Sequence, residues 1–150
     1  MTVERMSAAG ARRQGKDRPM SPKKVLVVDD EVHIVHVVAI KLRNNGYEPI
    51  AAGNGEEAYE LACRENPDII IADYQMPVMT GLELIEKLRA NDQTANIPVI
   101  LLTARSFAID DCRQQQLRIS QCVTKPFSPK ELLRIIEDIL YQGQLVTQTS

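Results

Sequence analysis

Asp29 with Asp30, Asp73, Thr103 and Lys125 each close a short, largely apolar run. Val25-Leu26-Val27-Val28 leads to the acidic pair, Ile69-Ile70-Ile71-Ala72 to Asp73, Ile97 onward to Thr103, and Arg118 onward to Lys125. Taken alone, Asp73 reads as a turn-opening aspartate, the commoner fate of an acid after a strand. Taken together, the five residues read as chemistry. Clustered carboxylates repel one another, and without a cation some of them are driven to protonate. A hard divalent ion held by a few carboxylates and waters resolves this, which suits Mg²⁺ better than an all-protein calcium cage. Acids, a metal, a hydroxyl and a lysine form a trap for a phosphoryl group. In such a trap a carboxylate can act as nucleophile and become an aspartyl phosphate. Asp73 is the candidate phosphoacceptor, because it ends its run alone with Asp29 and Asp30 on one side and Thr103 and Lys125 on the other. The metal would join the acidic pair, Asp73 and a phosphoryl oxygen. Lys125 would offset a second oxygen and Thr103 would hydrogen-bond a third.

Residues so far apart meet only if the runs are neighbouring strands that point the same way. Near-continuous apolar runs are the signature of strands buried on both faces of a parallel sheet, whose C-terminal ends carry the chemistry. Pro77 stops the central run. Helical periods fill the intervals: Glu31 to Asn45 with Val32, Val35, Ala39 and Leu42, capped by Asp30 or a neighbour and stopped by Gly46; Glu56 to Asn66, closed by Pro67; and Gly81 to about Ala90 with Leu82, Leu84, Ile85 and Leu88. Ile34, Val37 and Val38 widen the first apolar stripe beyond one core face, and some of them suggest partner surface. Glu48 to Ala52 is a further strand and Gly53-Asn54-Gly55 a turn. Ser106 to about Gln116 is a marginal helix, and Arg118 to Thr124 is the fifth strand. Ser128 caps a last helix through Tyr141, with Pro129 in its first turn and Glu131 as the capping-box acid. Five strands alternating with five helices specify a doubly wound parallel α/β sheet with right-handed crossovers.

The composition is that of an ordinary globular domain: 150 residues, 44% apolar and 25% charged. Cys63, Cys112 and Cys122 are odd in number and lack metal-ligand spacing, so neither a disulfide framework nor a zinc site is indicated. No stretch reaches the length of a membrane span, and a soluble, cytoplasmic protein is expected. Residues 1–24 hold seven basic groups against Glu4 and Asp17, a balance of +5, which leaves −7 on the rest of a chain of net charge −2. An acidic body argues against a nucleic-acid-binding domain. Residues 1–22 read as a basic, disordered leader and 142–150 as a flexible tail. His33 and His36 sit three apart with no third ligand nearby and read as solvated surface.

The chain resembles the receiver domain of two-component response regulators, of the single-domain chemotaxis-regulator type. The matching pieces are Val27-Val28-Asp29-Asp30-Glu31, Asp73-Tyr74-Gln75-Met76-Pro77 with Gly81, Leu102-Thr103-Ala104, and Thr124-Lys125-Pro126-Phe127. They span about residues 23 to 141. The resemblance implies a flavodoxin-like fold with strand order 2-1-3-4-5, Mg²⁺, and phosphotransfer to Asp73 from a histidine kinase or histidine phosphotransfer protein. It also implies that the backbone carbonyl of Gln75 ligates the metal and that the Lys125–Pro126 peptide is cis. The implied protein is not an enzyme in the ordinary sense. It is a phosphoacceptor that assists its own Mg²⁺-dependent phosphorylation and dephosphorylation.

Three departures bear on output. Cys122 stands where the family has an aromatic that reorients with the threonine, the glycine and acids leading into the last strand are replaced by Leu-Arg-Ile-Ser-Gln at 117–121, and Thr80 precedes Gly81 in place of an acid or amide. The favoured reading is a single-domain response regulator that signals to a downstream protein through protein contacts, with no DNA-binding domain of its own. Its alternatives are a phosphorylation-independent adaptor and a receiver fragment of a larger regulator or hybrid kinase. A metal-dependent phosphohydrolase lacks an obvious general base.

Overall fold

The computed structural model describes residues 22–104 and 111–149. Nearly all of the basic leader and the first half of the marginal helix lie outside the described residues. In chain order the elements are β1 (Lys24–Val28), α1 (Val32–Asn44), β2 (Glu48–Ala52), α2 (Gly55–Glu65), β3 (Ile69–Asp73), α3 (Gly81–Ala90), β4 (Val99–Thr103), α4 (Asp111–Gln116), β5 (Gln121–Thr124) and α5 (Pro129–Thr149). The strands form one parallel sheet in the order β2-β1-β3-β4-β5, the expected 2-1-3-4-5 arrangement.

Alternation along each strand divides the core into two layers. Leu26, Val28, Ile70, Ala72, Val99 and Leu101 face Ala58 and Ala62 of α2 and Leu84, Ile85 and Leu88 of α3. Val25, Val27, Ile69, Ile71, Ile100 and Leu102 face Val38 and Leu42 of α1 and Leu132, Leu133 and Ile136 of α5. Register brings the strand ends level: Val28 lies opposite both Ala52 and Ala72, Asp73 opposite Leu102, and Thr103 opposite Thr124.

Side chains fix where most helices begin. The Asn54 side chain accepts from the Glu57 amide at 2.8 Å, and Thr80 and Glu83 form a capping box at α3. Thr80 thus serves as the cap of α3. The Ser128 hydroxyl accepts from the Glu131 amide at 3.2 Å, as the capping pattern requires. At α1 the capping position is Glu31, with no side-chain cap. Its amide donates to the Asp29 carboxylate at 2.9 Å.

β4 begins at Val99, two residues after Ile97, α2 begins one residue early at Gly55, and two boundaries differ from the sequence reading by more than this. β5 begins at Gln121 and not at Arg118, because residues 117–119 finish α4. Arg118 adopts φ 55°, its amide donates to the Gln115 carbonyl and the Ile119 amide to the Gln114 carbonyl, the two bonds of a left-handed helix stop. Glycine usually holds that conformation, and a residue with a Cβ pays about 1–2 kcal/mol there. The Arg118 guanidinium bonds the Ala95 carbonyl at 3.0 Å and the Asn96 side chain at 3.2 Å, which offsets part of this cost. Arg89 of α3 secures the same junction, donating to the carbonyls of Leu117, Ala95, Ile97 and Arg118. The other difference lies at the C-terminus, where the backbone stays helical to Thr149, past a non-helical Tyr141 (φ −116°, ψ 15°) at which a frayed tail was expected to begin.

Ile71 is fully buried between β3 and the α1/α5 layer. Ile71→Ala is expected to lower unfolding stability by about 2–5 kcal/mol in urea titrations, against about 0.5 kcal/mol or less for Val37→Ala on the exposed face of α1.

Candidate functional site

β1 and β3 adjoin at the centre of the sheet, and both deliver acid at their C-terminal ends. Asp29 is 1% exposed and Asp73 5% exposed, whereas Asp30 is solvent-facing. Carboxylate oxygens of Asp29, Asp30 and Asp73 all lie within 4.8 Å of one another. Lys125 reaches this group from beyond β5. Its amide donates to the Thr103 carbonyl at 2.8 Å, and its peptide bond to Pro126 is cis. Its Nζ lies 3.2 Å from Asp29 Oδ2, 3.2 Å from Asp73 Oδ1 and 3.4 Å from Glu31 Oε1. Thr103, 2% exposed, ends β4 one register step beyond the residue paired with Asp73. Gln75 is exposed, two residues past Asp73.

The backbone around Asp73 is close-packed. The Tyr74 amide donates to the Leu102 carbonyl at 2.7 Å, and the Gly81 amide returns to the Tyr74 carbonyl at 2.9 Å. A Cβ at Gly81 would stand 2.5 Å from the Asp73 carbonyl oxygen, so only glycine allows α3 to begin against the end of β3.

Electrostatics follow from this crowding. Burial, and then the charge of Asp29, hold the Asp73 carboxyl above its ordinary titration range and outweigh the nearby lysine. Burial alone would lower Lys125, but the Asp29 and Asp73 carboxylates outweigh it and raise the ammonium above its usual range. One ammonium therefore serves Asp29, Asp73 and Glu31 while Asp30 adds further negative charge. The site is under-compensated. Oxygen donors of this number and charge fit a hard divalent cation in which waters complete the shell.

Asp29, Asp30, Asp73 and Lys125 are thus brought together, and Thr103 and Gln75 lie on the same sheet edge. Glu31 is a contact the sequence reading did not assign to the site. Its adjacency to the acidic pair was the available signal. His33 and His36 are exposed on α1 with no third ligand among the described residues. Cys122 is half-buried against the α2/α3-side layer, and burial raises its thiol above the ordinary range.

The family model for the response regulator receiver domain matches residues 25–137. The alkaline phosphatase synthesis transcriptional regulatory protein PhoP of Bacillus subtilis is 37% identical over 128 residues, 85% of this chain and 52% of that protein. The phosphate regulon transcriptional regulatory protein PhoB of Pseudomonas aeruginosa is 34% identical over 81% of this chain and 53% of its own length. The chain therefore spans about half the length of these curated relatives. Among solved structures, chemotaxis protein CheY4 of Vibrio cholerae superposes with a TM-score of 0.75 at 33% identity, over 80% of this chain and 100% of that one. The Francisella response regulator 1452 receiver domain gives 0.70 at 35% identity, over 81% and 98%.

The raised Asp73 has a consequence for stability. Its folded-state pKa lies above the unfolded value of 3.8. Stability from this group is thus full below the unfolded pKa and is lost as pH rises through the folded one. At neutral pH and without divalent metal, Asp73→Asn is expected to melt a few degrees above the wild type. That gain should shrink as pH is lowered through the carboxylate range. Thermal melts in EDTA at a series of pH values test this, and a lower midpoint for Asp73→Asn at neutral pH would contradict it.

Proposed function

The chain belongs to the response regulator receiver family, and on that premise we propose that it is a signalling switch that accepts a phosphoryl group on Asp73. The donor is a phosphohistidine of a histidine kinase or histidine phosphotransfer protein. An Asp73 carboxylate oxygen forms the new bond to phosphorus while the bond to the donor imidazole nitrogen breaks, and the imidazole leaves with the electron pair. The observation that carries this reading is the placement of Lys125 Nζ at 3.2 Å from both Asp29 and Asp73, beside three carboxylates within 4.8 Å of one another. Asp29, Asp30, Asp73 and the Gln75 carbonyl would hold Mg²⁺, which when bound supplies positive charge against the phosphoryl oxygens. Lys125 leaves part of its carboxylate contact to face one phosphoryl oxygen, and the Thr103 hydroxyl donates to another. The burial of Asp29 and Thr103 limits water at the reacting carboxylate. In this reading the protein is a phosphoacceptor that assists its own phosphorylation and dephosphorylation, without a separate substrate to turn over.

The likeness to the chemotaxis protein favours a receiver that signals through protein contacts, whereas the span of about half the length of the transcriptional regulators favours a receiver segment of a longer regulator. Immunoblotting of the native protein separates the two, since the second predicts a product about twice the length of this chain. The small side chain at Cys122 favours a further reading, an adaptor whose partner ignores phosphorylation. Capture of a partner with and without beryllofluoride, a phosphoryl mimic, distinguishes that reading from a switch. No helix among the described residues is long and apolar enough to cross a membrane, in keeping with a proposed cytoplasmic site of action.

Acetyl phosphate with Mg²⁺ should add one phosphoryl group to the wild type by intact mass and none to Asp73→Asn, and chelation should abolish the addition. Lys125→Ala should slow it by about 10²–10³-fold. Equal labelling of Asp73→Asn would overturn the assignment. Cys122→Tyr is expected to change partner affinity more than phosphorylation rate, measured by titrating the captured partner against phosphorylated and unphosphorylated protein.

A further inference from the structure

The segment that leaves Asp73 is strained, and a notch on α2 holds it. Val78 is β-branched, exposed and at φ 73°, and the Met79 amide donates to the Pro77 carbonyl at 2.7 Å across it. This is a γ-turn with positive φ at its centre, the rare and unfavourable form, and such conformations persist only where neighbouring packing over-determines them. Bonds at Tyr74 and Gly81 fix the two ends of the segment. Between them Gln75, Pro77 and Val78 are exposed, Met76 is buried, and Met79 is half-buried against the α2/α3-side core.

Gly55, the first residue of α2, receives Met79. A Cβ built there would lie 2.8 Å from Met79 Sδ, 2.9 Å from its Cβ and 3.0 Å from its Cγ. The Cβ of Met79 cannot swing aside as a side-chain tip can, so an added methyl would displace the loop backbone. Gly55 has no positive φ that would call for glycine on conformational grounds, and glycine is a poor helix former. The absence of a side chain at Gly55 therefore serves the approach of Met79.

We propose that Met79, seated against Gly55, is a positioning residue for the phosphoacceptor loop: the α2 N-terminus holds the Pro77-Val78-Met79 turn and thereby sets where the Gln75 carbonyl stands. This rests on the reading of Asp73 as a Mg²⁺-dependent phosphoacceptor and adds a part of the chain outside the acidic rim to it. Met79→Ala empties the notch and Gly55→Ala fills it from the other side. Both should disturb the same turn, while Met79→Leu should restore it.

Three readouts on the full chain test the proposal: amide hydrogen exchange at position 79 in EDTA, Mg²⁺ affinity by calorimetry, and the rate of phosphorylation by acetyl phosphate. Met79→Ala and Gly55→Ala should speed exchange at position 79 in the metal-free protein. They should also weaken Mg²⁺ binding by about 10–100-fold, the range found when groups that orient metal ligands are removed. Met79→Leu should recover most of both losses. A Met79→Ala protein that folds, with exchange at position 79 and Mg²⁺ affinity equal to those of the wild type, overturns the positioning role whatever happens to its thermal midpoint. Met79 sits in a half-exposed loop, so this variant remains informative if Gly55→Ala fails to fold. A wild type that takes up neither Mg²⁺ nor phosphoryl overturns the underlying reading, and the positioning role falls with it.

Discussion

One ammonium shared between two buried carboxylates is the interaction on which the rest of this structure depends. Lys125 Nζ stands 3.2 Å from both Asp29 and Asp73, each nearly inaccessible to water, and 3.4 Å from Glu31. Buried charges persist only when paired and hydrogen-bonded. Two acids at the ends of β1 and β3 therefore require a cation from another element, and it comes from the residue following β5. Bringing it there needs β4 and β5 to end level, which the Thr103–Thr124 register and the bond from the Lys125 amide to the Thr103 carbonyl provide. The sheet edge is thus constrained electrostatically as well as by packing. A single ammonium does not neutralise three clustered carboxylates, and the edge retains an attraction for further positive charge.

The same constraint explains why this edge tolerates so little side-chain volume. β3 is buried along its whole length, including Asp73, and α3 begins against its last carbonyl. Thr80, with its reciprocal cap to Glu83, satisfies two amides at the α3 N-terminus, and the Gly81 amide bonds the Tyr74 carbonyl just past β3. Glycine at 81 and a small cap at 80 are what allow an acid, its neighbours and a helix start to occupy the same place.

How much of this was legible in the sequence depended on how local each cause is. Strands buried on both faces must be apolar throughout, so Val25–Val28 and Ile69–Ala72 identified themselves, and their parallel arrangement placed Asp29, Asp30, Asp73, Thr103 and Lys125 on one edge before any coordinates. The caps at Thr80 and Ser128 follow from residues three apart and were similarly accessible, although Thr80 was noted only as a departure. The start of β5 was not. An apolar-polar mix from Arg118 to Gln121 looks like a strand, but Arg118 is in a left-handed helix stop that Arg89 of α3 and the bond of its own guanidinium to Ala95 stabilise. The pairing of Glu31 with Lys125 and the seat of Met79 on Gly55 join positions 94 and 24 residues apart in the chain, and no periodicity announces either contact.

These contacts bear on how a change at Asp73 would leave the site. Cys122 is half-buried and too small to sweep out volume by changing rotamer. A swing of this side chain is therefore a poor lever. The C-terminal end of α4 is also tied to α3, through the ion pair of Arg113 with Glu86 and through Arg89 to the carbonyls of Leu117 and Arg118. Displacing that end of α4 would break charged contacts to a neighbouring helix without a compensating side-chain rotation in β5. The rim is less encumbered. Glu31, Gln75 and Val78 are exposed around the acids, Glu31 in contact with Lys125 and the other two on the segment that leaves Asp73.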